Sequence, residues 1–304
     1  MRRPSAADTA PATRLLLAGL LAALAALAGC GSDFTPRSVL TDTRVLALEA
    51  IAPPGEGAPR LEAGPGEAVA FRARTFPEDV ARVGQWSFCP FTLGSSAGFA
   101  CAVPRCETPL GAGPADSASA APYDLAVACA AALSAGGAAL PPGVPSQLPR
   151  RVDTLLRYRV TGADGIAREA VQVVPLYPAG APADRNVAPV VRRVTIGGAD
   201  ATAGAVPPAL SAAQALEVRA ELDPAGAQPY VTDDGRSAVE TLVVSFYTTA
   251  GRFDFDRANG PDASVKLKAE KLGAADAEAL VWAVARDLRG GETVVGPFAV
   301  TIAR

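Results

Sequence analysis

The chain has 304 residues and a formal net charge of −3, from 28 Lys and Arg against 31 Asp and Glu. With no long basic run it lacks the electrostatic footprint of a nucleic-acid binder. It contains no histidine, which excludes Ser-His and Cys-His nucleophile pairs, imidazole-ligated metals and a general base titrating near neutrality.

From the N-terminus, Arg2, Arg3 and Arg14 accompany an apolar, small-residue run from Leu15 to Leu27. A positive start, a short apolar stretch and small residues before a cut describe a secretory signal. A membrane span needs about 20 apolar residues, more than this run supplies. The run ends Leu27-Ala28-Gly29-Cys30, which resembles the bacterial lipobox. That resemblance implies a signal peptide over 1–29, cleavage between Gly29 and Cys30, and lipidation of Cys30. A plain secretory signal would have no reason to put cysteine there. Two or three acyl chains, at about 0.8 kcal/mol per buried CH₂, hold a protein durably where one does not. Gly31 follows the cysteine, where the resemblance would read an aspartate as inner-membrane retention, so the expected address is the outer membrane of a bacterial envelope. Residues 30–41 read as a polar tether that reaches roughly 35–40 Å when extended.

A first domain is expected over 42–178. Its strands read Arg44–Leu48, Glu67–Ala73, Val83–Cys89, Leu155–Val160 and Ala167–Val174, with a turn at Ala163-Asp164-Gly165. Short alternating runs punctuated by Pro and Gly indicate a β-sandwich. From about 90 to 150 the pattern breaks into a Gly-, Ala-, Pro- and Ser-rich insertion, with one helix expected over Tyr123–Leu133. This insertion is expected to decorate a sandwich edge; a binding surface is the alternative. Cys89, Cys101, Cys106 and Cys129 remain after Cys30. In an exported protein they read as disulfides, and four cysteines allow three connectivities. Closure of local loops favours Cys89–Cys101 with Cys106–Cys129. Zinc on four thiolates is the alternative, opposed by the lack of two close Cys pairs.

Residues 179–186 read as a linker and 187–304 as a second domain. Its strands are expected at Val190–Ile196, Ala215–Leu222, Thr241–Tyr247, Ser264–Lys268, Ala279–Ala285 and Glu292–Ile302. The halves echo each other. Arg44-Val45 matches Arg193-Val194, Arg72-Ala73 matches Arg219-Ala220, and Ser87-Phe88-Cys89 matches Ser245-Phe246-Tyr247. Each half closes with an Asp/Gly turn, at Asp164-Gly165 and at Asp287 to Gly291. Such echoes suggest tandem copies of one module. The ending Val284-Ala285-Arg286-Asp287-Leu288-Arg289-Gly290-Gly291 resembles bacterial Ig-like, PKD-like and cadherin-like modules. With the lipobox, Thr43-Arg44-Val45-Leu46-Ala47, Pro53-Pro54 and Trp86-x-x-Cys89, the whole chain is similar to lipoproteins abundant in myxobacteria. The resemblance implies an all-β chain of two tandem Ig-like sandwiches, the first carrying a disulfide-tied, partly helical insertion. It implies little about activity, because such modules serve adhesion, scaffolding and carbohydrate binding alike.

Gly94-Ser95-Ser96-Ala97-Gly98 matches the G-x-S-x-G nucleophile elbow, but that motif needs a strand-turn-helix setting and a histidine partner. Carboxylates gather at Asp233, Asp234, Asp254, Asp256 and Asp262. Asp254 and Asp256 alternate with Phe253 and Phe255, which reads as one face of a strand. Asp254, Asp256 and Asp262 are weak calcium candidates, since calcium wants six to eight oxygens and no D-x-[DN]-x-[DN]-G loop is present. Asp287 with Gly290 and Gly291 reads as turn chemistry. Trp86 and Trp282 read as core anchors, Trp86 matching the buried tryptophan of Ig-like sandwiches. The expected role is therefore a non-catalytic binding, scaffold or accessory lipoprotein, with no cofactor and no metal. Its expected partners are the membrane, through the lipid, and an envelope protein or a glycan. A glycan- or surface-binding adhesin is the first alternative and a secreted enzyme the last.

Overall fold

A computed structural model describes residues 36–111, 113–135, 144, 149–202, 208–211, 214–232, 235–269 and 278–303. The expected signal segment 1–29, including Gly29, as well as Cys30, Asp233 and Asp234, lies outside the described residues. Arg37–Arg304 forms one compact unit. Its first half runs β1 (Arg44–Ile51), β2 (Val69–Phe76), β3 (Gln85–Cys89), β4 (Thr108–Leu110), β5 (Ser117–Ala120), α1 (Pro122–Ala135), β6 (Val152–Thr161) and β7 (Ala167–Leu176). The sheets are ordered β1-β2-β5 and β4-β3-β6-β7. In the lettering of immunoglobulin sandwiches these are A-B-E facing C′-C-F-G.

The second half runs β8 (Val191–Ile196), β9 (Ala199–Asp200), β10 (Ala209–Ser211), β11 (Ala215–Leu222), β12 (Pro229–Val231), β13 (Ser237–Val239), β14 (Val243–Thr248), β15 (Arg252–Phe253), β16 (Arg257–Asn259), β17 (Asp262–Lys268), β18 (Glu278–Arg286) and β19 (Glu292–Ala303). Its sheets are β15-β17-β11-β8-β9 and β10-β19-β18-β14-β16, with β12-β13 a separate hairpin. Removing the short edges leaves the same arrangement, E-B-A facing G-F-C-C′. The sequence echo falls on equivalent strands. Arg44-Val45 and Arg193-Val194 lie on A (β1, β8), Arg72-Ala73 and Arg219-Ala220 on B (β2, β11), and Ser87-Phe88 and Ser245-Phe246 on C (β3, β14). The chain is an all-β pair of tandem Ig-like sandwiches.

Alternation along each strand explains the burial. In β17, Ala263, Val265 and Leu267 turn inward while Asp262, Ser264 and Lys266 turn out, as the two-residue period of a half-buried strand requires. Each sandwich has its own core, one around Phe71, Trp86, Phe88, Leu156 and Tyr158, the other around Val218, Val244, Phe246, Val265 and Val281. In the first, the Trp86 and Tyr158 rings lie 4.7 Å apart, the indole N–H donates to Ala115 O at 3.0 Å, and the Tyr158 hydroxyl donates to Ala81 O.

Three expected features differ. Residues 83–84 do not belong to β3: Glu78–Val83 forms 3₁₀ turns, and a Cβ on Gly84 would collide with the Tyr158 ring. The stretch from 90 to 150 is not purely an insertion, since β4 and β5 are integral C′ and E strands within it. What remains is a disulfide-tied C–C′ connection and an E–F connection carrying α1. That helix has Pro122 at its first turn and buries Ala126, Cys129 and Leu133 toward the first core. Residues 38–40 also do not belong to a free tether. Leu40 N donates to Thr248 O at 2.7 Å and Thr248 N to Ser38 O at 2.8 Å, pairing the lead-in with the C strand of the second sandwich.

Candidate functional site

The four expected cysteines form two disulfides, Cys89–Cys101 and Cys106–Cys129. The first closes the C–C′ loop on the end of β3, and the second ties the start of β4 to α1. Ser96 lies in an exposed 3₁₀ turn between Gly94 and Gly98, both at positive φ, which is not a strand-turn-helix elbow. Asp254 and Asp256 do not share a strand face. They sit in the bend after β15, where Asp254 Oδ1 accepts from the N–H groups of Phe255 and Lys266. Asp262 opens β17 and pairs with Arg219 at 2.9 Å. Among the described residues no group of three or more His, Cys, Asp or Glu is arranged to hold a metal ion. Of the aromatics in the 90–150 stretch, Phe91 is buried and Tyr123 packs against the first core. Among the described residues no helix is long and apolar enough to cross a membrane.

The distinctive chemistry lies where the two sandwiches meet. A third apolar cluster joins Leu40, Leu46 and Ala47 to Trp282, Val284 and Val294, with the Phe76 ring edge-on to Trp282 at 5.7 Å. Above it the edges of β1 and β19 face each other without forming a ladder. Glu292 accepts from Leu48 N at 2.8 Å, and Glu49 accepts from Val294 N at 2.6 Å, so each strand's glutamate caps the other's edge. Arg286 completes the joint, donating to Glu292 at 2.6 Å, to Leu46 O at 2.7 Å and to Ser245 Oγ. Charge-assisted bonds of this kind are stronger than neutral ones, and they satisfy edge groups that would otherwise be left unpaired.

Beside this joint lies a cleft of about 550 Å³, with Glu62, Arg151, Gln172 and Tyr177 from the first sandwich facing Tyr230, Val231, Leu288 and Arg289 from the second. It adjoins a hollow of about 650 Å³ that shares Arg151, Tyr177, Tyr230 and Arg289. Arg289 is the hub. Its guanidinium reaches Glu240 at 2.6 Å and Glu62 at 3.5 Å, and sits 4.5 Å from the centre of the Tyr230 ring. The F–G turn between β18 and β19 sets its position: Asp287 Oδ1 accepts from Arg289 N at 2.7 Å and Gly291 N at 2.8 Å. Of the two turn glycines Gly290 takes positive φ, and the second left-handed position falls on Leu288 rather than on Gly291. Gly291 is required for a different reason, since a Cβ there would strike the Asp287 carboxylate and the Ala188 backbone.

Burial dominates the electrostatics. It pushes the carboxyl groups of Glu62, Glu240 and Asp287 above their ordinary range, opposed by Arg289 and by local N–H donors. The same cause raises Glu49 and the Tyr177 hydroxyl. Glu62 is 2% exposed, and its Oε2 has no hydrogen-bond partner among the described residues. Sequence reasoning missed Glu62, Glu240 and Arg289 as a group. The available signal was slight, a glutamate with an apolar neighbour in each of Leu61-Glu62-Ala63 and Val239-Glu240-Thr241-Leu242.

No protein-family model and no curated protein matches the chain. Among solved structures it is similar to the D00-D0 domain of intimin, with a TM-score of 0.25 and 15% identity, covering 54% of this chain and 70% of that one. The fibronectin(III)-like modules of Clostridium thermocellum CbhA give a TM-score of 0.25 at 12% identity, covering 86% and 92%. SGBP-B of the Bacteroides ovatus mixed-linkage glucan utilization locus, in complex with a mixed-linkage heptasaccharide, gives 0.22 at 10%, covering 87% and 48%. The Ig-like assignment of this chain rests on its own strand order, A-B-E against C′-C-F-G in both halves.

Proposed function

We propose that this chain is a non-catalytic scaffold or accessory lipoprotein of the bacterial envelope, anchored through Cys30 and similar in organisation to myxobacterial lipoproteins. The observation that carries the reading is the joint between the sandwiches. A shared apolar cluster, two reciprocal glutamate caps and Arg286 make Arg37–Arg304 one body rather than two beads on a linker. A rigid two-domain body on a short lipid tether suits fixed presentation of a binding face. With residues 38–40 held to the second sandwich, the chain from Cys30 to Ser38 extends at most about 30 Å. The lack of any histidine supports the non-catalytic part of the reading.

The test is crosslinking in intact cells, comparing wild type with Cys30→Ala, alongside labelling with a fatty-acid analogue. Label on the wild type alone, together with one protein partner captured in fixed ratio by the anchored form, is expected. Equal labelling of both proteins overturns the anchor at Cys30. The absence of a reproducible partner overturns the accessory role.

A further inference from the structure

The junction cleft supports an inference that does not depend on the scaffold reading: we propose that it is a binding site for a neutral oligosaccharide, stacked on Tyr177 and Tyr230 and hydrogen-bonded to the paired charges of its floor. Its volume of about 550 Å³ and its place between two domains are those of a ligand site. The choice of ligand class follows from charge balance. Arg289 faces Glu62 and Glu240, Arg286 faces Glu292, and Arg151 faces Asp153 at 3.0 Å. An anion would have to displace a carboxylate, and a cation would have to displace a guanidinium. A polyhydroxyl ligand does neither, because each hydroxyl can donate to a carboxylate and accept from a guanidinium.

Three further observations point into the same cleft. Glu62 is more than nine-tenths buried, lines the cleft and keeps one oxygen without a hydrogen-bond partner among the described residues, an acceptor of the kind that normally finds a bond. The Tyr230 ring is held against Arg289, which fixes its orientation before any ligand arrives. Preorganisation of this kind lowers the cost of binding. On the rim, Leu288 is 64% exposed and held at φ +63°. Left-handed backbone at a non-glycine residue is strained, and such strain clusters at ligand clamps. An apolar rim over a polar floor with two tyrosines matches the two faces of a sugar ring, one C–H-rich and one hydroxyl-rich.

The experiment uses the full chain in a zwitterionic detergent, so that no sugar headgroup competes. It is applied to an array of neutral and acidic oligosaccharides, and hits are measured by saturation-transfer NMR. Binding to neutral oligosaccharides is expected, weakened about tenfold or more in Tyr230→Ala and in Tyr177→Ala, the loss of one stacking platform. Val231→Arg, at a rim position 69% exposed, should block binding with no change in the thermal midpoint. This variant keeps the test decisive if a tyrosine variant fails to fold. The proposal is overturned by any of three results: no neutral oligosaccharide bound, binding indifferent to Val231→Arg and both tyrosine variants, or a preference for acidic sugars. Crosslinking from position 177 to a polypeptide, with no glycan bound, would assign the cleft to a protein and also overturn it.

Discussion

The two F–G turns share an aspartate that accepts from the backbone and a glycine at positive φ, and they end in opposite environments. In the first sandwich, Asp164 accepts from Ile166 N at 2.9 Å, and Gly165 supplies φ +74°. In the second, Asp287 accepts from Arg289 N and Gly291 N, and Gly290 supplies φ +111°. Asp164 lies at the surface beside Arg168, whose hydrogen bonds hold its carboxyl below the usual range. Asp287 is 1% exposed, packed beside the segment between the domains, and burial pushes its carboxyl above that range. Turn geometry is thus a local property of the sequence, while the energetics of the turn belong to whatever packs on it. The same contrast separates the loops. The first sandwich ties its long connections with two disulfides, whereas the second fixes its turn and hairpin through Arg289.

The largest predicted effect is in the first sandwich. Trp86→Ala removes a buried indole and its bond to Ala115 O, at an expected cost of about 3–5 kcal/mol. Denaturant unfolding followed by near-ultraviolet circular dichroism would measure it. A folded Trp86→Ala protein of unchanged stability would refute the core role. Next comes the hub of the second sandwich. Arg289→Ala strips the buried Glu240 and Glu62 of their shared partner, and loss of one member of a buried pair costs about 3 kcal/mol or more. Arg289→Ala with Glu240→Gln should recover part of that loss, and a strictly additive double mutant would show the two groups to be uncoupled. Cys106→Ser with Cys129→Ser opens a loop with a sequence separation of 23, for which about 3 kcal/mol is expected. If the thermal midpoint of this pair matched wild type, α1 would be held by its apolar face alone.

Much of this architecture was legible where a periodic pattern and local chemistry agreed. Ala215–Leu222 forms a strand over the expected span because its alternating apolar positions face the core. Tyr123–Leu133 lies within the helix because alanine-rich chain with a proline at the first turn favours one. The disulfides pair locally as expected. The failures have a common cause. Thr108–Leu110 is too short to show a period, and the alternation in Ser117–Ala120 rests on two alanines alone; both are strands because their neighbours offer an edge, which no window of sequence records. Val83 looks like strand but precedes a glycine pressed against Tyr158. Leu40 looks like tether because its pairing partner, Thr248, lies two hundred residues away. The cleft is harder still, since Glu62, Tyr177, Tyr230 and Arg289 meet only after both sandwiches have folded and docked.

The turns themselves give the next test. Asp287→Ala leaves the N–H groups of Arg289 and Gly291 without their acceptor in a buried setting, an expected loss of about 1–3 kcal/mol. Asp164→Ala removes one backbone acceptor, for Ile166 N, and the bonds from Arg168 at the surface, where water replaces them, and should shift the thermal midpoint far less. Equal losses would mean that burial adds nothing to the turn and would break the comparison.

The smallest effect is on pH. Glu49, Glu62, Glu240 and Asp287 all have carboxyl groups raised by burial in the folded chain. Between the ordinary carboxylate value and the raised one, the folded state binds more protons than the unfolded state, so stability falls as pH rises through that window. Glu67 runs the other way. Its bonds to Arg185, at 2.7 and 3.0 Å, hold its carboxyl below the ordinary value, so its contribution is present above that value and lost as pH falls through the lowered one. The two trends place the stability maximum near the ordinary carboxylate value. The thermal midpoint should therefore rise modestly as pH is lowered through the raised values to the ordinary carboxylate value, then fall in stronger acid. Glu240→Gln and Glu62→Gln should flatten the first limb and leave the second, because they remove groups that titrate at the joint and spare the Glu67–Arg185 pair. A midpoint that falls steadily from pH 7 downward would mean that the buried carboxylates are stabilised as ions by Arg289 and Arg286 more than burial opposes them.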